Sequence, residues 1–276
     1  MRTRARSAAV LLPGLLASCA GAAGGPPDAD AALGGPVRYE MRSLERTAGG
    51  CPEEPRGVCA EVELEYPEIE AAPTREAEER LRDAVGTFLL APAPFVDRPA
   101  GAEELAREFL AHQAEVRRSY PEGSSSSGWF FERRIAVLHQ DGRVFSLDVS
   151  ERWYSGGVHP NSSASLASFD PRTGRRLLLD DLVERARVPD LVDLAERRFR
   201  EVRGIPRGVL LSEAGFTFPQ ETFYVNDDFA VTPEGLAFHF DPYEVGPYAL
   251  GPTDYVVSRA ELASLARADG PLASTP

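Results

Sequence analysis

The chain has four histidines, at 112, 139, 159 and 239, and their wide spacing matches no metal-ligand pattern. There is no Gly-x-Ser-x-Gly nucleophile elbow, no His-Glu-x-x-His helix and no glycine-rich phosphate cradle. Acid pairs stand at Asp180-Asp181 and Asp227-Asp228, but such pairs serve helix caps and turns as readily as catalysis. The least poor acid–base combination is His159 with Glu244. The reading therefore assigns no catalytic residue, no metal and no cofactor. Two other segments are richer: Tyr154-Ser-Gly156-Gly157-Val-His159, and Asp241-Pro-Tyr243-Glu244-Val-Gly-Pro-Tyr248. Paired glycines let a strand end turn sharply. Aromatics beside a few polar groups suit recognition of protein or sugar. The plainer alternative makes both segments turns, with Asp241 capping a one-turn helix, Pro242 at its first position and the tyrosines in the core.

Three cysteines complete the reactive inventory. Arg2, Arg4 and Arg6 precede a short apolar run, Ala8 to Leu16, too brief to span a bilayer. Leu16-Ala17-Ser18-Cys19 fits a bacterial lipobox, so Cys19 is expected to be acylated; the alternative is an ordinary signal peptide with a chance cysteine. Ala20 stands where an inner-membrane retention Asp would be, which favours the outer membrane, facing the periplasm, in a cell with two membranes. The expected organisation is a signal peptide at 1–18, a Gly/Pro-rich tether at 19–36, and folded parts at 37–122 and 129–270. Export places Cys51 and Cys59 in an oxidising compartment as the two remaining thiols, so they are expected to pair. A metal reading of these cysteines fails because the nearest histidine is His112.

The elements that must position these groups show in the periodicity. Val37, Tyr39 and Met41 alternate with charged residues, and Val62, Leu64 and Tyr66 alternate with Glu61, Glu63 and Glu65, so two antiparallel strands are expected. Thr74 caps a helix with a Leu81, Val85, Phe88, Leu89 stripe. A second helix spans about 102–120, with His112 on its apolar line as a packed residue. Gly123 to Gly128 reads as a loop between two halves. Phe131, Ile135 and Val137 run into an Asp141-Gly142 hairpin turn, followed by Phe145, Leu147, Val149 and Trp153. Leu191 to Val202 forms a helix closed by Gly204. Short strands are expected at 223–225, 236–240 and 255–257, then a helix from Arg259 to Ala268. Strands and helices in mixed order imply an α+β fold, with helices packed on largely antiparallel sheet in two consecutive halves.

Composition limits the partners. The net charge is −13, every basic residue is Arg, and no Arg cluster is large enough to hold nucleic-acid phosphates, so nucleic acid is excluded. Removing residues 1–18 takes three Arg and no acid, making the mature chain more negative still. Lipid, not a basic patch, must then hold it to a membrane.

The Tyr154–His159 segment, Ser168-Phe-Asp170-Pro-Arg-Thr-Gly174 with Leu177, Leu179 and Asp181-Leu182, and Phe223-Tyr224 with Gly235 to Tyr248 together resemble the extracytoplasmic domain of RsiV-type anti-sigma factors, which sense lysozyme. The same domain accompanies the catalytic domain of PdaC-type peptidoglycan deacetylases. The likeness runs over about residues 37–268. Pro160 replaces a small residue expected after His159. The chain carries neither the regulators' cytoplasmic segment and membrane helix nor a deacetylase domain, so it is expected to be the module alone. The resemblance implies an envelope-binding module for a lysozyme-like protein or for peptidoglycan. Its expected ligand residues are Tyr154, Gly156, Gly157, His159, Tyr243, Glu244 and Tyr248, where the Tyr154–His159 loop meets Pro242–Tyr248. The alternatives are a cell-wall glycan hydrolase or deacetylase-like enzyme and a scaffold for another envelope protein.

Overall fold

The structure, a computed structural model, describes residues 35–49, 59–119 and 128–273. Cys19, the tether up to residue 34, Cys51 and most of the 123–128 loop lie outside the described residues.

The fold is α+β. Strands β1 (Arg38–Ala48) and β2 (Ala60–Ala71) pair antiparallel, with Leu44 opposite Leu64. Helix α1 (Arg75–Leu89) starts where Thr74 Oγ1 accepts the Ala77 amide at 3.1 Å. Helix α2 (Ala102–Ser119) follows, and His112 on it stacks on Phe95 with ring centroids 4.0 Å apart. Strand β3 (Trp129–Gln140) lies parallel to β2, so the two helices form the crossover that a parallel pair requires. Asp141 accepts the amides of Arg143 and Val144 and turns the chain into β4 (Phe145–Tyr154). Strand β5 (Asn161–Phe169) completes a sheet in the order β1-β2-β3-β4-β5. Its first half, Asn-Ser-Ser-Ala-Ser, has no apolar alternation and gives no strand signal.

One face of this sheet receives α1 and α2. Leu81, Val85, Leu105 and Phe109 pack there on Val62, Leu64, Phe131, Ile135, Phe145 and Leu147. Arg133 enters the same core from β3. Its guanidinium donates to the carbonyls of Leu89, Ala91 and Pro92, closing the end of α1, and it pairs with Glu151. Burial pushes the Glu151 carboxyl up, and the Arg133 charge opposes that shift.

The rest of the chain builds a second core. It contains α3 (Leu179–Leu182), α4 (Val188–Arg203), α5 (Arg259–Leu262) and a three-stranded antiparallel sheet of β6 (Phe229–Val231), β7 (Gly235–Phe240) and β8 (Thr253–Ser258). Phe199 on α4 is its hub, ringed by Phe216, Phe218, Phe223, Phe240 and Tyr255 at 4.9–6.1 Å. Helix α4 ends at Gly204, which takes the left-handed conformation at φ 66°.

Three expectations change. Residues 223–225 form no strand; Phe223 instead turns its ring into the core. The closing helix stops at Leu262 because the chain is drawn into a bridge between Val183 and Ala266, with the Arg267 amide on the Leu182 carbonyl. The five-stranded sheet also crosses the expected 122/129 boundary, since β3, β4 and β5 join β1 and β2.

The two sheets meet through hydroxyls. The Val231 amide donates to Ser168 Oγ at 2.9 Å, and Ser146 Oγ donates to the Val231 carbonyl at 2.7 Å. The two serine oxygens lie 2.8 Å apart. This closed ring satisfies both backbone groups of Val231 on the outer edge of β6 without another strand.

Candidate functional site

The Tyr154–His159 loop leaves the end of β4, and the Pro242–Tyr248 turn leaves the end of β7. The structure brings them together. The Tyr154 hydroxyl donates to the Gly157 carbonyl at 2.9 Å, and its ring backs on Phe130. Tyr154 is 8% exposed, so it braces the loop from beneath. Gly156 and Gly157 hold φ of 97° and 112°, which a side chain would disfavour. The loop thereby delivers His159, whose Nδ1 lies 2.8 Å from the Pro160 carbonyl oxygen.

His159 stacks on Tyr248 with centroids 4.0 Å apart and planes 18° apart. The Tyr248 hydroxyl donates to the Pro160 carbonyl at 2.9 Å, pinning one loop to the other. Tyr243 stands 5.5 Å from Tyr248 and is 65% exposed. The result is a row of three rings, His159, Tyr248 and Tyr243, rising from a braced base to solvent.

The expected one-turn helix at Asp241 is a tight turn instead, with Tyr243 at φ 73°. Asp241 does not cap it. Its Oδ1 accepts the Ala164 amide of β5 at 2.8 Å and faces His239 Nε2 at 3.0 Å. Glu244 Oε2 accepts the Asp241 amide at 2.9 Å, and Oε1 accepts from Asn226. Asn226 also donates to the His239 carbonyl at 2.7 Å. His239 Nδ1 lies 2.7 Å from Asp254 Oδ1, so a carboxylate stands at each ring nitrogen. Burial works against the imidazolium charge, but the hydrogen bonds to Asp241 and Asp254 outweigh it and push His239 up to about 10. Burial raises Asp148, against the pull of His239, and it also raises Asp228, there reinforced by Glu244. The strained tyrosine therefore sits on a charged clamp that ties β7 to β5 and β8.

Residues 180–260 match a family model described as a protein of unknown function, DUF3298. The matched stretch contains the clamp, Tyr243 and Tyr248, and ends before α5 is complete. No curated protein matches the chain. Among solved structures it is similar to a member of the DUF3298 family from Bacteroides fragilis, with TM-score 0.64 and 15% identity over 85% of this chain and 95% of that one. It is also similar to a DUF3298 family protein from Pseudomonas aeruginosa, with TM-score 0.63 and 18% identity over 88% of this chain and 100% of that one. At these identities the likeness is one of fold.

Of the residues expected at the site, His159, Tyr243 and Tyr248 form the presented row. Tyr154, Gly156 and Gly157 shape the loop, and Glu244 locks the turn. His159 and Glu244 are committed to different partners, the former to Tyr248 and the latter to Asn226 and the Asp241 amide. The sequence reading missed Asn226, His239 and Asp254. A histidine alternating with aspartates at the end of an apolar strand, His239-Phe-Asp241, is the signal that was available.

Proposed function

We propose that the chain is a lipid-anchored binding module of the cell envelope, taking its ligand on the His159, Tyr248 and Tyr243 row. The observation that carries this reading is the row itself. Three aromatic rings are held in register by Gly and Pro turns, and the outermost is exposed on a backbone that costs energy to hold. Rigid amphipathic rings of this kind suit protein or glycan ligands. The resemblance to RsiV-type ectodomains and the acidity of the chain favour a lysozyme-like basic protein, with peptidoglycan as the other candidate. The anchor is acylated Cys19, the site of action the periplasmic face of an outer membrane, and Cys51 and Cys59 form a disulfide. No helix among the described residues is long and apolar enough to cross a membrane.

The test is titration of the purified chain with lysozyme and with soluble peptidoglycan fragments, comparing wild type with Tyr243→Ala and Tyr248→Ala. Loss of one anchoring ring should raise Kd about tenfold or more, with an unchanged circular dichroism spectrum. Variants that bind like wild type, or fail only because they unfold, would make these rings structural.

A further inference from the structure

One line of contacts between the two sheets follows β5 and the loop before it. At its start His159 stacks on Tyr248, and the Pro160 carbonyl accepts the Tyr248 hydroxyl. Further along, the Ala164 amide donates to Asp241 Oδ1 at 2.8 Å, and Ser165 holds the Asp228 carboxylate by a side-chain hydrogen bond. At its end Ser168 Oγ accepts the Val231 amide. The three stretches of this seam differ in kind. The first carries the aromatic row, the last joins neutral groups only, and the middle one is charged.

His239 stands at the middle stretch, with Asp241 at its Nε2 and Asp254 of β8 at its Nδ1. Asp148 faces it from β4, and Asp228 from the segment leading into β6; burial pushes both carboxyls up. Glu244 adds its charge beside Asp228. Across the seam Asp148 feels the negative charge of Asp254, and Glu151 that of Asp241. Arg134 on β3 pulls on Asp148 but is already paired with Glu65 at 3.0 Å, and Arg133 is spent on Glu151 and the end of α1. The His239 imidazolium is what balances the acids of the two sheets against each other. The sign follows from linkage. His239, Asp148 and Asp228 all hold protons more tightly in the closed seam than they would in an open one. Closing is therefore favoured at low pH and weakens as pH rises. The part owed to His239 is lost between its usual 6.5 and about 10.

We infer that this seam is a pH-operated latch on the aromatic row: loss of the His239 proton frees Ala164 from Asp241 and parts His159 from Tyr248, while the neutral bonds at Ser168 stay joined as the hinge. The row is closed at acid and neutral pH and loosened in alkali. The order of contacts is what couples the charge to the rings. The Ala164–Asp241 and Pro160–Tyr248 bonds join the same two segments, so parting one pulls on the other. The Ser168–Val231 bond lies beyond both and carries no titrating group. The inference concerns regulation of the proposed binding site and rests on that reading only for what the row holds. The latch itself is a property of the unliganded chain.

The test uses the full chain without ligand and follows single amides by NMR hydrogen exchange from pH 7 to pH 9. Rates are read as protection factors, which remove the intrinsic pH dependence of exchange. The Ala164 amide reports the latch and the Val231 amide the hinge. Ala164 protection should fall at least about tenfold over this range, against a ceiling of about a hundredfold for one proton across two pH units. Val231 protection should change by less than about twofold. The ring cross-peaks between His159 and Tyr248 should weaken in step with Ala164. In His239→Gln, Ala164 protection should be the same at every pH. Asp254→Asn changes an exposed side chain and removes one partner of the imidazolium, so Ala164 should lose protection at lower pH than in wild type. Level Ala164 protection in wild type would overturn the latch. So would an equal fall at Val231, a fall in His239→Gln matching wild type, or an unshifted Asp254→Asn. Loss of lysozyme or glycan binding in Tyr248→Ala at pH 7 reports on the row as a binding site, so the two readings can fail separately.

Discussion

His239 gives the sharpest quantitative test. Its folded value lies near 10 and its usual value is 6.5. A histidine raised on folding contributes stability that is complete below its unfolded value. That contribution is lost as pH climbs through the interval, and nothing remains above the folded value. Each pH unit in that interval removes at most about 1.4 kcal/mol. From pH 7 to pH 9 the ceiling is therefore about 2.7 kcal/mol. The Asp254 side chain is 76% exposed, so solvent screens part of the clamp, and about half the ceiling is expected. The perturbation is His239→Gln, which keeps a hydrogen-bond donor and removes the titration. Urea unfolding at pH 7 and pH 9 should show wild type losing about 1–1.5 kcal/mol more than the variant between the two. By NMR the His239 ring protons should titrate well above the usual 6.5. Parallel stability losses in both proteins, or a ring titrating near 6.5, would refute the clamp as described.

Three further outcomes are expected. Arg133→Met should destabilise the chain by about 3–5 kcal/mol in urea unfolding, because Glu151 is left buried and the carbonyls at the end of α1 lose their donor. Gly235→Ala should cost more than about 3 kcal/mol and collapse the near-ultraviolet signal of the second core, since a Cβ there would lie 2.0 Å from the Val257 carbonyl oxygen. Mass spectrometry of the N-terminal peptide of envelope-purified protein should find a diacyl or triacyl Cys19; an unmodified cysteine would remove the proposed anchor.

The regular elements were legible because each carries its own local signal. Thr74 with Glu76 and Glu78 marks the start of α1, Asp141-Gly142 marks the β3–β4 turn, and Gly204 marks the end of α4. Strand β5 was hidden because its serines are chosen by contacts to come, among them the Ser168 bond to Val231. The meeting of the two aromatic segments was legible from Gly, Pro and Tyr at both places. The clamp beneath them was not. His239 takes Asp254 from the next strand, and Asp241 reaches Ala164 far back in the chain. Nor does anything in a tyrosine announce a left-handed backbone; Tyr243 holds φ 73° because Asp241 and Glu244 fix the turn on either side.

The hydroxyl ring at Ser146, Ser168 and Val231 has a consequence for cooperativity. The two apolar cores are separate clusters, joined there by hydrogen bonds and elsewhere by Val144 of the β3–β4 turn, which packs into the second core, so each core is positioned to open as its own unit. The aromatic row straddles that division, with His159 coming from the first unit and Tyr243 and Tyr248 from the second. Opening either unit dismantles the row. A ligand seated on it therefore opposes both openings at once, by about 2.7 kcal/mol when present at a hundred times its dissociation constant. Amide hydrogen exchange would register this as slowed exchange in β4 and β5 as well as in β7 and β8, although the ligand touches only the tips of the loops between them.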